Sequence, residues 1–303
     1  MLRNAVLTAQ LLHLRGHPTM RTSEAAESMP IPVGRARGGL DVASSRPRAG
    51  MTLFWSAVPM ILFLVLPLLA LIWRTELAEI GTHLAQEVAR RAILLSVWTS
   101  ATATLLTVLL GTPLALLIAR RRFPGRRALD TVIDLPTVLP PAVAGLALLM
   151  AFGRRGMIGQ SLSIAGIEIA FTSLAVILAQ IFVASPYYIR AAIGGLSRSA
   201  AELEEAAALD GADSRQIFRF VTVPLARASL LGGLVMTWAR ALGDFGATIL
   251  FAGNYPGRTQ TMPLAIYIGF EMDLDVALAL SLVLMVTAFA ILLLVKWLLG
   301  RSR

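Results

Sequence analysis

Long apolar runs constrain this chain more than any other feature of its sequence. The first and last of them contain almost no charged residue. A helix needs about 20 mostly apolar residues to cross roughly 30 Å of hydrocarbon, and six runs meet that length. The sequence therefore predicts an all-α integral membrane protein with six transmembrane helices, near 51–73, 92–119, 129–152, 171–193, 229–252 and 276–299.

Composition narrows the chemistry that such a chain can perform. Its 303 residues are 56% hydrophobic and 15% charged, far from the roughly 25% charged residues of a soluble protein. There is no cysteine, which excludes disulfides, thiolate nucleophiles and zinc–thiolate sites. His13, His17 and His83 all lie outside the apolar runs, so we expect neither a metal site nor a cofactor. No Gly-Lys dipeptide occurs, and any ATP must therefore bind to another subunit.

The distribution of basic residues predicts the orientation. Basic residues concentrate in cytoplasmic loops of membrane proteins. Twenty of them fall in one set of alternating segments and six in the other, and Arg240 completes the 27. The richer set comprises 1–50, 120–128, 190–228 and the end of the chain from Lys296; the poorer set comprises 74–91, 153–170 and 253–275. Both termini are therefore predicted to be cytoplasmic, in the inner membrane of a cell.

The first 50 residues differ from the rest of the chain. They are rich in Arg, Ser, Gly and Pro, and a segment of this composition is expected to be mostly disordered. A secretory signal is one alternative, although Gln10 and His13 interrupt its apolar core. Translation from Met51 is another. We assign 1–50 to a basic tail and 51–303 to the transmembrane domain.

The cytoplasmic stretch 190–228 is longer than a connector between two helices requires. Ser199 and Glu202 have capping-box spacing at the start of a run rich in Glu and Ala. A break follows at Gly211, and a second amphipathic run stops at Pro224. The pattern predicts two short helices that lie across the membrane face. They would offer a partner the apolar side chains of Leu203, Ala207, Ile217 and Phe218.

The same stretch resembles a known family. Glu205-Ala206-Ala207, then Gly211, then Val221-Thr222-Val223-Pro224 have the spacing of the EAA loop in bacterial ATP-binding-cassette importer permeases. The resemblance implies a type I importer fold whose loop 198–224 contains a coupling helix that docks on a cytoplasmic ATPase. The residues that would couple to the ATPase are Glu204, Glu205, Ala206, Ala207, Gly211, Ile217 and Pro224. An amphipathic surface helix without a partner is the alternative interpretation.

A second resemblance concerns the fifth apolar run and the loop after it. ARALGDFGAT at 239–248 and FAGNYPGRTQTMPLAIY at 251–267 are similar to the signature of molybdate and tungstate permeases. Sulfate and thiosulfate permeases share its first half, and molybdate permeases more often carry Glu where this chain has Asp244. With LPTVLPPAVAG at 135–145, the similarity covers about 51–299. It implies a homodimeric permease for molybdate or tungstate, or alternatively for sulfate or thiosulfate, with two ATPase subunits and an external oxyanion-binding protein.

Arg240 and Asp244 have a physical meaning of their own. A charge inside a span costs roughly 2.5–3.5 kcal/mol and faces a protein interior or a water-filled cavity. At i and i+4 the two lie on one helix face. They form either a buried ion pair that fixes the fifth helix, our first interpretation, or a site where Arg240 balances an anion in transit. Asn254 to Tyr267 is predicted to be an external loop, in which Asn254 and Arg258 are candidate contacts for the anion or a docking protein.

Small and hydroxyl side chains in the spans have a structural explanation as well. Glycines allow close helix packing in lipid, and a hydroxyl can bond a carbonyl of its own helix. We expect packing for most residues of this kind: Ser96, Thr99, Ser100, Thr102, Thr104, Thr107, Gly232, Gly233, Gly243 and Gly246.

Two other classes of protein compete with the permease. A secondary transporter would need a coupling-ion site and usually an internal repeat, and no duplication is evident. An intramembrane enzyme would need a nucleophile–base pair or a metal cluster, for which only carboxylates and hydroxyls are available. We expect transport rather than catalysis, and no nucleic-acid partner. Dependence on an added ATPase would separate the permease from both competitors.

Overall fold

The computed structural model describes residues 46–197 and 201–300, in which all regular structure is helical. The chain divides into two compact units, residues 1–58 and residues 59–303. In the first unit the described part is the beginning of helix α1, where the rings of Phe54 and Trp55 meet edge to face with centroids 6.2 Å apart. All other elements belong to the second unit. The sequence predicts disorder over residues 1–50; residues 1–45 lie outside the described part of the chain, and the prediction is wrong for residues 46–50, which are helical and begin α1.

Thirteen α-helices and one π turn occur in the described residues. They are α1 (Arg46–Arg74), α2 (Ile80–Ala85), α3 (Glu87–Arg120), α4 (Arg126–Val138), α5 (Pro141–Phe152), α6 (Gly159–Ile164), α7 (Ser173–Ser197), α8 (Ala201–Leu209), α9 (Ser214–Ile217), the π turn (Phe218–Thr222), α10 (Val223–Leu242), α11 (Gly246–Ala252), α12 (Met262–Met272) and α13 (Leu274–Gly300).

Five helical segments are long and apolar enough to cross a membrane, and a bent pair of helices makes a sixth if it counts as one span. The five are Phe54–Arg74, Glu87–Arg120, Ser173–Ser197, Ser214–Leu242 and Leu274–Trp297. The predicted all-α membrane fold is confirmed, and the first, second, fourth and sixth predicted spans each lie on one continuous helix.

The third predicted span is not a single kinked helix. It consists of α4 and α5, whose axes differ by 118° across a two-residue break at Leu139 and Pro140. Each of these residues precedes a proline, which disfavours the helical region, and both are extended with ψ 135°. At 1.5 Å per residue each half is about 20 Å long, too short to cross the hydrocarbon alone.

The fifth predicted span is displaced and ends early. Pro224 does not stop the helix. It lies in the first turn of α10, directly after the π turn, where the missing backbone amide of a proline costs no helical hydrogen bond. The helix therefore runs from Ser214 to Leu242. It then breaks at 243–245, and the short α11 comes next. Asp244 consequently lies beyond the end of α10 rather than on one of its faces.

The core is built around α7, which packs against α3 and α10. Tyr188 of α7 is buried, and its hydroxyl lies 2.6 Å from Thr112 Oγ1 of α3. On the other side, Gly233 of α10 lets the two backbones approach, because a Cβ atom there would stand 2.6 Å from Ala191 Cβ. Close glycine packing is therefore confirmed at Gly233.

Hydroxyl groups of α3 donate hydrogen bonds to backbone carbonyls of the same helix, as the packing interpretation predicts. Thr99, Thr104 and Thr107 each donate to the carbonyl four residues earlier at 2.7–2.8 Å. Two serines instead join neighbouring helices. Ser96 Oγ accepts the Met262 amide at 2.7 Å, and Ser100 Oγ accepts Trp238 Nε1 at 3.0 Å. These hydroxyls stabilise the helix bundle.

Two glycines on α10 and its end allow a matched test of this packing. Gly233→Ala is expected to destabilise the protein by about 1–3 kcal/mol, because the added methyl overlaps Ala191. Gly243→Ala is the control, since its nearest neighbour would be a carbonyl oxygen 3.6 Å away. Thermal unfolding in detergent measures both. Equal losses of stability would contradict the packing role of Gly233.

Candidate coupling loop and translocation site

The loop between α7 and α10 contains one separate short helix, α8; the second predicted short helix, α9, is instead the beginning of the long helix Ser214–Leu242, because the π turn carries it past Pro224 into α10. The chain reverses between α8 and α9 at Gly211, whose φ of +90° is a conformation that glycine adopts without strain. Asp213 then caps α9, since its Oδ1 accepts the amides of Arg215 and Gln216 at 2.8 Å. Gln216 Oε1 completes the box by accepting the Asp213 amide. Sequence analysis missed this box, although the Asp-x-x-Gln spacing signals it; the predicted cap at Ser199 lies outside the described residues.

Several predicted coupling residues lie at the surface of this loop. Glu205, Ala206 and Pro224 are exposed, and Ala207 and Ile217 are half-buried. Apolar side chains accompany them, since Leu209 is 89% and Phe220 69% exposed. Exposed apolar residues on a short, charged helix form a surface suited to a protein partner.

Gly211 provides a test of the reversal. Gly211→Ala would impose a strain of about 1–2 kcal/mol, because residues with a Cβ atom disfavour positive φ. If the loop docks on an ATPase, as the resemblance implies, we expect this binding to weaken about tenfold. Gly211→Asn is the control, because asparagine tolerates this conformation. If both variants retain the ATPase as well as wild type does, the conformation of Gly211 is not needed for docking.

Glu204, unlike Glu205 beside it, points into the protein. The Arg120 guanidinium at the end of α3 donates to both of its carboxylate oxygens. Thr222 Oγ1 donates to Glu204 Oε1 at 2.6 Å. Arg120 was interpreted from the sequence only as part of a basic turn, and its partner 84 positions away carried no sequence signal. A groove of about 710 Å³, lined by Leu117, Ile217 and other residues, adjoins this cluster.

A second arginine holds α4 against α7. Arg190 Nε and Nη2 each donate to one carboxylate oxygen of Asp134 at 2.6 Å. Its Nη1 also donates to Asp130 Oδ1 at 2.9 Å. Sequence analysis did not identify this cluster, because the two aspartates four residues apart on α4 become informative only when α7 is placed beside them. The bidentate geometry fixes the orientation of α4 at its break with α5.

Arg240 and Asp244 lie close together but form a loose pair. Arg240 Nη1 is 3.7 Å from Asp244 Oδ1, beyond hydrogen-bond distance. The other carboxylate oxygen accepts the Thr248 amide at 3.1 Å and its hydroxyl at 2.7 Å. Asp244 therefore caps the start of α11, a role that sequence analysis missed because it predicted one unbroken helix. Its side chain is 1% exposed, whereas that of Arg240 is 29% exposed.

The two helix breaks lie side by side. Gly246 at the start of α11 meets Pro141 at the start of α5, since a Cβ atom on Gly246 would be 2.5 Å from Pro141 Cβ. Next to them is an open cavity of about 430 Å³ whose lining includes Gly243, Phe245 and Tyr267. Irregular backbone within a membrane is tolerated where it is buried in protein or lines a cavity. Asp244 lies two residues before Gly246 at this junction, and its carboxylate is 3.7 Å from Arg240.

The predicted external loop is shorter than expected, because α12 begins at Met262. Asn254 Nδ2 donates to the Leu264 carbonyl at 3.4 Å and so holds the loop against α12. Arg258 is exposed, and Gly257 beside it packs on Arg91 near the start of α3. The coupling loop contacts Arg120 at the other end of α3, about 45 Å away at 1.5 Å per residue. Asn254 and Arg258 therefore do not share a site with Glu204.

Comparisons with known proteins agree with this architecture. Residues 111–302 match the family described as binding-protein-dependent transport system inner membrane component. The Mycobacterium tuberculosis protein named molybdenum transport system permease protein ModB is 44% identical over 212 residues, which are 70% of this chain and 80% of that protein. The Escherichia coli K12 protein of the same name is 39% identical over 216 residues, 70% of this chain and 94% of that protein.

Two further comparisons set the limits of the likeness. The Synechococcus elongatus sulfate transport system permease protein CysW is 40% identical over 188 residues, 62% of this chain and 64% of that protein. A crystal structure of a bacterial ABC transporter that imports alginate matches with a TM-score of 0.66 at 20% identity, over 84% of this chain and 96% of that one, and so supports the fold. The chain belongs to the family of binding-protein-dependent transport system inner membrane components, the multi-pass permeases of ATP-binding-cassette importers.

Proposed function

We propose that this chain is the permease subunit of an importer for molybdate or tungstate. The observation that carries the proposal is the 44% identity with a molybdenum permease over 212 residues. Two relatives with sulfate in their names are less similar, at 40% identity over 188 residues and 32% identity over 248 residues. Sulfate or thiosulfate is therefore the second candidate substrate. A secondary transporter is disfavoured, because the family acts with separate ATPase and binding-protein partners.

Arg240 is the residue that we assign to the anion. Tetrahedral oxyanions of this class carry two negative charges, and a cation beside the pathway lowers the cost of moving them through a low-dielectric region. Asp244 leaves Arg240 available, because Asp244 hydrogen-bonds Thr248 and stays 3.7 Å from the guanidinium. The partial exposure of the Arg240 side chain supports its access to an ion.

The pathway is formed between two copies of the chain. Large apolar side chains on α12 support this arrangement, since Phe270 is 74% and Met272 81% exposed. The cavity beside Phe245 is open in one chain, and a second copy would supply its missing wall. Both termini and the loop 198–224 lie in the cytoplasm, consistent with the five arginines at 120–127 beside that loop.

Transport requires two interfaces that can each adopt two states, and bound ligands favour one state over the other. ATP binding would draw the ATPase pair together beneath the coupling loops, and the exposed face with Glu205 and Leu209 would receive that movement. Release of ADP and phosphate would reverse it. The two permease chains then open alternately to each side, as a population shift between two states.

The test is ATP hydrolysis in liposomes that contain this chain, its cognate ATPase and its binding protein, with molybdate, tungstate or sulfate as the loaded anion. Stimulation by molybdate and tungstate but not by sulfate is expected. Stimulation by sulfate alone would transfer the assignment to the second candidate. Failure to assemble with any ATPase would refute the permease function.

A further inference from the structure

Three side chains from separate elements meet where the coupling loop joins the transmembrane bundle. Arg120 ends α3, Glu204 lies on α8 and Thr222 ends the π turn before α10. Arg120 Nη2 donates to Thr222 Oγ1 at 3.3 Å, and Thr222 in turn donates to Glu204 at 2.6 Å. The Arg120 guanidinium also donates to both carboxylate oxygens of Glu204, so each of the three side chains contacts the other two.

The cluster is partly sheltered from solvent. Thr222 is 1% exposed, the Glu204 side chain 15% and the Arg120 side chain 35%. A bidentate arginine–carboxylate pair is directional, so it fixes the relative orientation of the two elements that carry it. The cluster therefore resists displacement of α8 relative to α3 and α10.

Two neighbouring acidic residues of α8, Glu204 and Glu205, face opposite directions. Glu205 is exposed on the outer side of α8, where a partner can reach it. Glu204 turns inward and joins the bundle. Along the chain, α8 connects to α9 through the reversal at Gly211, which is closed by hydrogen bonds from the amides of Gly211 and Ala212 to carbonyls of α8. The contacts of Glu204 with Arg120 and Thr222 add a direct connection between α8 and the spans.

We propose that Arg120, Glu204 and Thr222 form a clamp that makes α8 move as one body with the ends of α3 and α10. The three are positioning residues for coupling, and the proposal rests on the assignment of the loop to ATPase docking. Without the clamp, α8 would still bind the ATPase through its outer face, but its movement would reach α10 only through the reversal at Gly211. ATP hydrolysis would then lose its connection to the loaded binding protein.

The first experiment measures this coupling in the reconstituted complex. In Glu204→Gln we expect the ATPase to remain bound and its basal hydrolysis to persist, while stimulation by the loaded binding protein falls about tenfold. Glu202→Gln, the same change at an exposed position of α8, is the control and should behave as wild type. Full stimulation in Glu204→Gln, or loss of the bound ATPase, would overturn the clamp.

A double-mutant cycle separates the clamp from general damage to the fold. Thr222→Val keeps the shape of the side chain and removes its hydroxyl. If the three residues act together, Glu204→Gln and Thr222→Val in one chain should reduce stimulation by less than the product of their separate effects. Exchange of the charged pair, Arg120→Glu with Glu204→Arg, should restore part of the stimulation. Independent effects in the cycle would overturn the clamp.

A second measurement needs no substrate and so separates failure of the clamp from failure of the proposed function. The chain has no cysteine, so Glu202→Cys places a single spin label on α8 in the assembled complex. Glu204→Gln should increase the mobility of this label, and Asp210→Asn, the control at an exposed acidic residue directly after α8, should not. Unchanged mobility in Glu204→Gln would refute the clamp whichever anion the importer carries.

Discussion

Arg240→Gln is expected to reduce ATP-dependent anion uptake by about 100-fold, because one charged partner of a low-dielectric ion contact typically contributes several kcal/mol. The permease should remain folded and bound to its ATPase. The geometry gives the reason: Asp244 is held by Thr248 and lies 3.7 Å from the guanidinium. Loss of Arg240 therefore leaves the cap of α11 intact. Uptake into vesicles and co-purification of the ATPase measure the two properties separately.

Arg240→Lys and Arg258→Gln serve as controls. Lysine keeps the charge and should retain part of the uptake. Arg258 is exposed at the opposite end of α3 from the coupling loop, so its loss should affect docking of the binding protein rather than passage of the anion. If Arg240→Gln instead destroys the assembled complex, the residue is a structural member of an ion pair.

Asp244→Ala is expected to have the larger effect on folding. It leaves the buried Thr248 amide and hydroxyl without their acceptor, and an unsatisfied buried group costs about 1–3 kcal/mol. Loss of the negative charge at the start of α11 adds to this cost. The variant should unfold at lower temperature and accumulate poorly in the membrane, as detergent-solubilised yield and thermal unfolding would show.

Asp244→Asn distinguishes the cap from the charge. The asparagine amide oxygen can still accept the Thr248 amide, so this variant should fold nearly as well as wild type. A loss of stability as large as that of Asp244→Ala would mean that neutralisation of Arg240, rather than capping, is what Asp244 supplies. The two variants together show whether Asp244 acts as the cap of α11 or as the ion-pair partner of Arg240.

The sequence predicted the spans because apolar length is a local property, and α3, α7 and α13 follow directly from it. The breaks were harder to predict. Pro140 and Pro141 indicate that the third span is not a regular helix, but the bend of 118° between α4 and α5 depends on where α11 packs against α5. The break at 243–245 has no proline, and Gly243 alone did not distinguish a hinge from a packing contact.

In the coupling loop, too, features of neighbouring residues were predictable from the sequence, whereas contacts between distant residues were not. Spacing of Glu205 and Gly211 located the loop and its reversal, since both are properties of neighbouring residues. The inward direction of Glu204 depends on Arg120, which is 84 positions away, and only the fold brings them together. Asp244 was recognised as a costly charge, but its partner Thr248 became evident only once α11 was separate from α10.

Uptake of molybdate into vesicles tests the central claim most directly. The vesicles would contain this permease, its ATPase and its binding protein, with ATP inside and molybdate outside in the presence of excess sulfate. We predict that molybdenum accumulates inside only with ATP and binding protein, that sulfate does not compete, and that Arg240→Gln abolishes accumulation. Accumulation without ATP, or suppression by sulfate, would contradict the assignment of this chain to a molybdate importer.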